Sequence, residues 1–343
     1  MMDYEMFRDV FREKLMSYMP DELAGYSLWA DRTGKVNETL DALHLVPPGC
    51  LPDKLYPTVY LNVVYEEYRK SGDLQGTLEL ATFYLAGACR EAERKNGRIT
   101  LQDAPESIVM SLINTEQNRE MLGYMPHREF EDLSVIYRYV IDTGNPVESV
   151  SVTVEMTERI GMGEGELFDA AVENTRRLFL PTVELLNDII VEMFMDGGFS
   201  EEAAREMGSV IQTPIYCISN KMSINGAVSM LYGDVIHGVS EQLGSDLYIL
   251  PLSVHEVMAV PTEGVEPKEL AELVEKNNMS RIRLSERLSN QVYRYDSKQQ
   301  TLLLATDTPN KRLDGNGTKH DRTDGKNSPD REAYDLWKKH QKN

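Results

Sequence analysis

The 343-residue chain has few cysteines and a deficit of basic residues. Its three cysteines, Cys50, Cys89 and Cys217, lie far apart and form no CxxC pair, which argues against a disulfide framework and a zinc knuckle. The chain carries 36 Lys and Arg residues against 56 Asp and Glu residues, a net charge of −20. A phosphate backbone is bound mainly through Lys and Arg, so we expect no nucleic-acid partner.

Long apolar runs are also missing. The longest stretches without charge, such as residues 209–220 and 222–233, are shorter than the roughly 18 apolar residues that a membrane span needs. The first twenty residues contain seven charged side chains, unlike the apolar core of a signal peptide. We therefore expect a soluble, cytoplasmic protein without a membrane partner.

The hydrophobic residues that are present, 41% of the chain, follow both helical and strand periodicities. Phe7, Phe11 and Leu15 share one face of a predicted amphipathic opening helix. The Val-, Ile- and Tyr-rich segments 107–114, 133–141 and 148–154 predict strands of one sheet. These patterns predict a mixed α+β fold in the broad α/β class.

The later segments are less uniform. Residues 164–178 predict a helix, and residues 182–196 predict a helix for which a strand is the alternative. Residues 215–219 and 227–231 predict strands joined by a hairpin turn at Asn225-Gly226. The seventeen methionines are spread along the chain and are interpreted as adaptable core filler.

The predicted organisation is two α/β halves packed as one compact body, followed by a tail. The halves are residues 1–145 and 146–304, and strands on either side of the turn near 145 are expected to pair. Apolar residues almost vanish after residue 304, so 305–343 predicts a disordered polar tail. Tyr334 and Trp337 are its one feature with binding potential.

The first candidate site is the segment that begins at His127-Arg128. It places an imidazole and a guanidinium beside the carboxylates of Glu129, Glu131 and Asp132, a set suited to acid–base chemistry or anion capture. A solvated loop with local ion pairs is the favoured interpretation, because exposed ion pairs are common.

The second candidate is Ser253-x-His255-Glu256, between two predicted strands. Residues two apart on an extended chain lie about 7 Å apart, so the hydroxyl and imidazole are not expected to hydrogen-bond. A polar turn is therefore favoured over a nucleophile and its base. No HExxH or CxxH motif occurs, and we predict neither a metal nor a cofactor.

Residues 125–133, the helix entry 163–178 and residues 225–227 resemble a bacterial domain-of-unknown-function family, numbered 5688, that occurs in gut-dwelling bacteria. The run Leu243-Gly244-Ser245-Asp246-Leu247-Tyr248-Ile249-Leu250-Pro251 is the most specific part of the likeness, which extends to about Asp296. The order of elements is more remotely similar to the YtpQ-like bacterial proteins. The resemblance implies a compact α and β fold and supplies no activity or functional residue.

Because no catalytic constellation is recognisable, the favoured function is a non-catalytic binding or accessory module of the bacterial cytoplasm. It would bind a protein or a small molecule in an accessory or mobile-element context. The alternative is a small-molecule enzyme, hydrolase-like, with a site assembled from the His127 and His255 segments. The candidate binding residues are His127, Arg128, His255, Glu256 and Trp337.

Overall fold

A computed structural model describes residues 1–49, 56–98, 104–144, 146–308 and 312–315. Within these ranges the fold is mixed α+β, as predicted. The chain divides into two units, residues 1–101 and 102–343. The boundary predicted at residue 145 lies inside the second unit, and Cys50 and Trp337 lie outside the described residues.

In its described residues the first unit combines three α-helices with an antiparallel sheet in the order β1-β2-β3. Asn37, with a φ of 66°, forms the turn that joins β1 to β2. The elements are α1 (Tyr4–Leu15), β1 (Ser27–Lys35), β2 (Glu38–Val46), β3 (Thr58–Tyr60), α2 (Leu61–Ser71) and α3 (Leu74–Arg98).

The opening helix α1 confirms its predicted face. Phe7, Phe11 and Leu15 are fully buried. Phe7 stacks on Tyr68 of α2 with ring centroids 5.1 Å apart. The Asp3 carboxylate accepts a hydrogen bond from the Met6 N–H at 2.9 Å and caps the helix N-terminus. The core of this unit therefore begins with the first helix of the chain.

The described part of the second unit contains two antiparallel sheets. One has the order β4-β6-β5, with β7 also paired to β6, and the other has the order β13-β12-β10-β11-β9-β8. The strands are β4 (Ile108–Asn114), β5 (His127–Phe130), β6 (Leu133–Asp142), β7 (Glu148–Ser151), β8 (Pro181–Leu185), β9 (Tyr216–Asn220), β10 (Leu247–Pro251), β11 (Val257–Pro261), β12 (Tyr293–Asp296) and β13 (Thr301–Leu304). The helices are α4 (Ala104–Ser107), α5 (Arg119–Leu122), α6 (Val154–Ile160), α7 (Glu164–Leu178), α8 (Leu186–Asp196), α9 (Glu201–Gly208), α10 (Gly233–Leu243) and α11 (Pro267–Arg281).

Three strands of the four-stranded sheet, β4, β6 and β7, are those predicted from the Val-, Ile- and Tyr-rich segments, and β5 is a strand that the sequence did not predict. Strand β6 is the centre of this sheet. Strand β4 pairs along one edge of β6, and on the other edge β5 pairs with its first residues and β7 with its last. The pairing of β6 with β7 confirms that the strands on either side of the turn near residue 145 are neighbours.

Two of the segments that were predicted as helix or strand in the second unit have a different structure. Residues 182–196 are not one element, because strand β8 ends at Leu185 and helix α8 begins at Leu186. Residues 226–231 form a fully buried 3-10 helix rather than a strand, and Asn225-Gly226 is its entry rather than a hairpin turn. A short apolar run has the same composition in a buried helix and in a buried strand, which explains the second error.

The described residues after 304 contact the folded body. The Ala305 N–H donates to the Val292 carbonyl at 2.8 Å, and the Thr308 N–H donates to the Gln291 side chain at 3.0 Å. Leu313 is fully buried. The packed part of the chain therefore reaches Leu313, further than composition indicated, and residues 316–343 lie outside the described ranges.

Asp246, in the most specific run of the sequence, anchors the start of β10 to the turn between β12 and β13. Its Oδ1 accepts from the Ser297 N–H at 2.9 Å and from the Ser297 hydroxyl at 2.7 Å. Its Oδ2 accepts from Arg294 at 2.8 Å. These hydrogen bonds, led by that from the Ser297 N–H, lower the pKa of Asp246 from 3.8 to about 2.

We expect Asp246→Asn to destabilise the protein at neutral pH and to lose this effect in acid. A lowered pKa means that the ionised carboxylate stabilises the fold above about pH 4, and that this stabilisation disappears as pH falls toward 2. Urea unfolding at several pH values measures the gap between variant and wild type. Glu202→Gln, at an exposed residue of α9, is the control, and a gap that stayed constant down to pH 2 would contradict the assignment.

Candidate functional site

Arg128 lies on strand β5, where sequence had predicted a loop. Its guanidinium forms a two-point ion pair with Glu164, with Nε to Oε1 at 3.0 Å and Nη2 to Oε2 at 2.8 Å. The Tyr137 hydroxyl donates to the same Oε1 at 2.6 Å. Glu164 is the first residue of α7, so the pair joins the four-stranded sheet to a helix N-terminus. The partner is 36 residues away and not local.

The surroundings of this ion pair favour a structural role. The Arg128 guanidinium lies 3.7 Å from the Phe168 ring centroid, a stacking distance. Burial, together with the hydrogen bond to Glu164, raises the pKa of Tyr137. The tyrosine is therefore a neutral donor, and the carboxylate is already occupied by two partners. The cluster holds β5 against α7 and leaves no free base.

His127 and Asp132, at the two ends of the same segment, have separate partners. His127 Nδ1 lies 2.9 Å from the Met125 carbonyl oxygen, to which it donates. Asp132 accepts hydrogen bonds from the hydroxyls of Ser289, at 2.6 Å, and Tyr293. Tyr293 is fully buried. Asp132 thus links the β5–β6 turn to the chain around β12, and it satisfies a phenol that burial would otherwise leave without an acceptor.

His255 lies in the loop between β10 and β11, where a polar turn had been predicted. Its Nδ1 accepts a hydrogen bond from the Asn225 N–H at 3.1 Å, so the neutral ring carries its proton on Nε2. Its backbone N–H donates to the Ser253 hydroxyl at 3.0 Å, and its carbonyl accepts from the Ser219 hydroxyl at 2.8 Å. Ser253 therefore bonds to the backbone of His255 and not to its imidazole.

Glu256 contacts the thiol of Cys217, with Sγ 3.8 Å from Oε2. Burial, and then the negative charge of Glu256, raises the pKa of Cys217 to about 12. The thiolate is the nucleophilic form of cysteine, so at neutral pH this side chain is a poor nucleophile.

The structure does not connect the two histidine segments. Among the described residues, no hydrogen bond or ion pair joins His127 to His255, and neither imidazole is hydrogen-bonded to a carboxylate. The same part of the chain contains no group of three His, Cys, Asp or Glu residues placed to hold a metal. The fifth candidate, Trp337, lies outside the described residues.

Sequence reasoning missed an exposed apolar surface on the helical pair α8 and α9, which connects the neighbouring strands β8 and β9. Seven of the eleven residues of α8 are apolar, yet none of the eleven is buried. Met193 is 60%, Phe199 55% and Val210 74% exposed. We call the exposed apolar residues of this segment, Met193, Met195, Phe199, Met207 and Val210, the hairpin surface.

Helices α8 and α9 form a helical hairpin, which is held together where α8 begins and α9 ends. The Asn187 side chain donates to the carbonyls of Gly208, at 2.8 Å, and Ile211, at 2.9 Å. A Cβ atom at Gly208 would lie 2.8 Å from Val191 Cγ2 and 3.0 Å from the Asn187 carbonyl oxygen, so a larger residue would push α8 and α9 apart. At the other end the rings of Phe194 and Phe199 meet edge to face, with centroids 5.2 Å apart. The helical hairpin is therefore held in one conformation by contacts at both of its ends.

A family model described as a family of unknown function, DUF5688, matches residues 4–297. The chain belongs to this family. Comparison with curated proteins and with solved structures finds no match, so the more remote similarity to the YtpQ-like proteins has no support. The family description carries no activity.

The charges of the hairpin are strongly one-sided. Residues 186–210 contain six acidic side chains and one basic side chain, Arg205, which is paired with Glu201 at 2.8 Å. The exposed methionines and Phe199 therefore lie among carboxylates, and residues 186–210 contain no unpaired basic side chain. Within the described ranges no helix is both long and apolar enough to cross a membrane. In the sequence this surface is marked by the Met193-Phe194-Met195 run. The run was not recognised as a candidate surface because the methionines were all interpreted as core residues.

Proposed function

We propose that this protein is a non-catalytic binding module of the bacterial cytoplasm. Its hairpin surface binds a basic amphipathic segment of a partner protein. The observation that carries the proposal is helix α8, which is largely apolar and has no buried residue. A helix of that composition normally buries one face, because exposed apolar area in water is unfavourable. A partner would supply the missing contact.

The chemistry of the surface suits a helical segment. Methionine side chains are unbranched and polarizable, so they adapt to different apolar shapes. Phe199 adds a large aromatic side chain of the kind that dominates interface energies. Exposed apolar clusters rimmed by polar residues are typical of protein–protein contact sites. Amphipathic helices place apolar anchors at three- and four-residue intervals, which such a surface can accept.

The negative charge of the hairpin favours a partner that carries basic residues. The hairpin has a net charge of −5 over residues 186–210, so a segment carrying Lys or Arg beside its apolar face is favoured. A second copy of this chain would bring the same negative charge to the contact and is disfavoured. The enzyme alternative receives no comparable support, because neither His127 nor His255 has a carboxylate partner among the described residues.

The test uses the full chain and three synthetic peptides of equal length. The first is an amphipathic helix of Leu, Trp and Lys, the second has the same composition in scrambled order, and the third replaces Lys by Glu. Fluorescence anisotropy should show saturable binding of the first peptide only, weakened by salt. The double substitution Met193→Ser and Phe199→Ser should weaken that binding at least about tenfold, the equivalent of 1.4 kcal/mol.

The matched control is Phe83→Ser on α3, where an aromatic side chain is 75% exposed outside the hairpin. It should leave peptide binding unchanged. Binding of the scrambled peptide with equal affinity would show general attraction to an acidic protein, which contradicts the proposal. So would equal loss in Phe83→Ser, or no binding of the amphipathic peptide.

A further inference from the structure

Arg138, on β6, is a cation without an acidic partner in the described part of the chain. Its guanidinium donates to the Ser149 hydroxyl at 2.9 Å, the Ser149 carbonyl at 3.1 Å and the Ser151 hydroxyl at 3.4 Å, all on β7. Among the described residues no carboxylate is hydrogen-bonded to it or shifts its pKa, although the chain contains 56 acidic residues. Its bonds are to neutral oxygens only.

This arrangement is energetically unusual. Burial lowers the pKa of Arg138, because the charged form is partly removed from water and no acidic neighbour offsets the loss. Arginine has five N–H groups, and three of them are used in the bonds to β7. Two N–H groups are left without an acceptor in the described part of the chain, which is what a two-point carboxylate contact requires.

An apolar cluster lies on the same face of the sheet as Arg138. Val109 is directly opposite Arg138 in the β4–β6 register, and Val140 follows two residues along β6. Both valines are buried in one cluster with Phe179, and Val147, Leu178 and Met222 pack against it with part of their surface exposed. A cation with free donors thus lies next to accessible apolar surface.

We propose that Arg138 binds the carboxylate of a small organic acid, with Ser149 and Ser151 positioning the guanidinium and the cluster at Val140 contacting the apolar part of the ligand. One cation with two free N–H groups matches a monoanion. A phosphate dianion would leave excess negative charge in an already acidic protein, so a carboxylate is the favoured class. This site is separate from the hairpin surface and goes beyond the proposed function.

The test is titration calorimetry of the folded full chain with sodium hexanoate, at constant ionic strength set by sodium chloride. We expect saturable binding that Arg138→Gln abolishes and that Ser151→Ala weakens several-fold. Acetate, which lacks the apolar part, should bind at least about tenfold more weakly, and inorganic phosphate should also bind more weakly. Arg294→Gln, which removes an exposed arginine paired with Asp246, should bind hexanoate as the wild type does.

Two results would overturn the proposal. Absence of saturable hexanoate binding to the wild type would mean that Arg138 only ties β7 to β6. Equal binding to Arg138→Gln and wild type would place the ligand elsewhere. If Arg138→Gln does not fold, Arg138→Lys gives the decision: it keeps the charge and loses the planar fork, so hexanoate binding should fall at least about tenfold.

Discussion

Replacing Phe11 with alanine is expected to lower the free energy of unfolding by about 3–5 kcal/mol, the range for removing a buried phenylalanine. Phe11 is fully buried on α1, and its ring centroid lies 5.2 Å from that of Phe7. The substitution removes aromatic surface from the core and leaves a cavity, because neighbours held by α2 and α3 can collapse only in part.

Urea unfolding followed by circular dichroism measures this loss. Met6→Ala, on the same helix at a position that is 55% exposed, is the matched control and should change stability by less than about 0.5 kcal/mol. A loss below about 0.5 kcal/mol in Phe11→Ala as well would mean that the predicted core face of α1 is not buried. The helix would then be a candidate for partner binding.

Helix α1 shows which parts of the fold the sequence can predict. Its apolar residues recur at helical spacing, and Pro20 follows shortly after the helix ends. The spacing of the apolar residues and the proline that follows the helix are both local features of the sequence. Burial of Phe7, Phe11 and Leu15 could therefore be predicted before any contact was known. Three strands of the four-stranded sheet, β4, β6 and β7, were predictable for the same reason, because β-branched runs and a Gly-Asn-Pro turn are local features.

The candidate sites were much less predictable, because their contacts are not local. Arg128 was assigned local ion pairs, yet its carboxylate partner is Glu164, on a helix that begins 36 residues later. Asp132 is bonded to Ser289, 157 residues away. Spacing along the chain contains no information about such pairs, which only the packing of the sheet against other elements creates.

The hairpin surface was missed for a different reason. An apolar helix is expected to be buried, and composition does not reveal when a helix has no neighbour to cover it. Helix α8 had the composition of a core helix, and its Met193-Phe194-Met195 run was consistent with core packing. Only the three-dimensional exposure of Met193 and Phe199 distinguishes this surface helix from a core helix.

The second large effect is expected at Gly226, where the loop that contains Asn225 meets the His255 loop. A Cβ atom at this position would lie 2.4 Å from the Ser219 hydroxyl, 2.5 Å from the His255 carbonyl and 2.8 Å from the Asn220 N–H nitrogen. Two of these three atoms belong to the backbone, which cannot turn aside as a flexible side chain can. Room for a methyl group would therefore require the strand end or the loop to move.

Gly226→Ala is expected to destabilise the protein by about 3 kcal/mol, the upper part of the range for overpacking a core. The movement would also break the Ser219 to His255 hydrogen bond of 2.8 Å and the Asn225 to His255 bond of 3.1 Å. Urea unfolding gives the stability, and the NMR resonances of the His255 ring report the loop. A large loss of stability with an unchanged His255 resonance would contradict the close approach of Gly226 to the His255 carbonyl.

Gly238→Ala is the matched control for this substitution. Gly238 lies inside helix α10 of the same unit, and a Cβ atom there would meet nothing within 4 Å. Alanine is favoured over glycine in a helix interior by about 1 kcal/mol, so this variant should be as stable as the wild type or more stable. The same chemical change should thus have opposite signs at two glycines, because one Cβ would meet backbone atoms and the other open space. Equal effects at both positions would mean that the close approach at Gly226 does not exist.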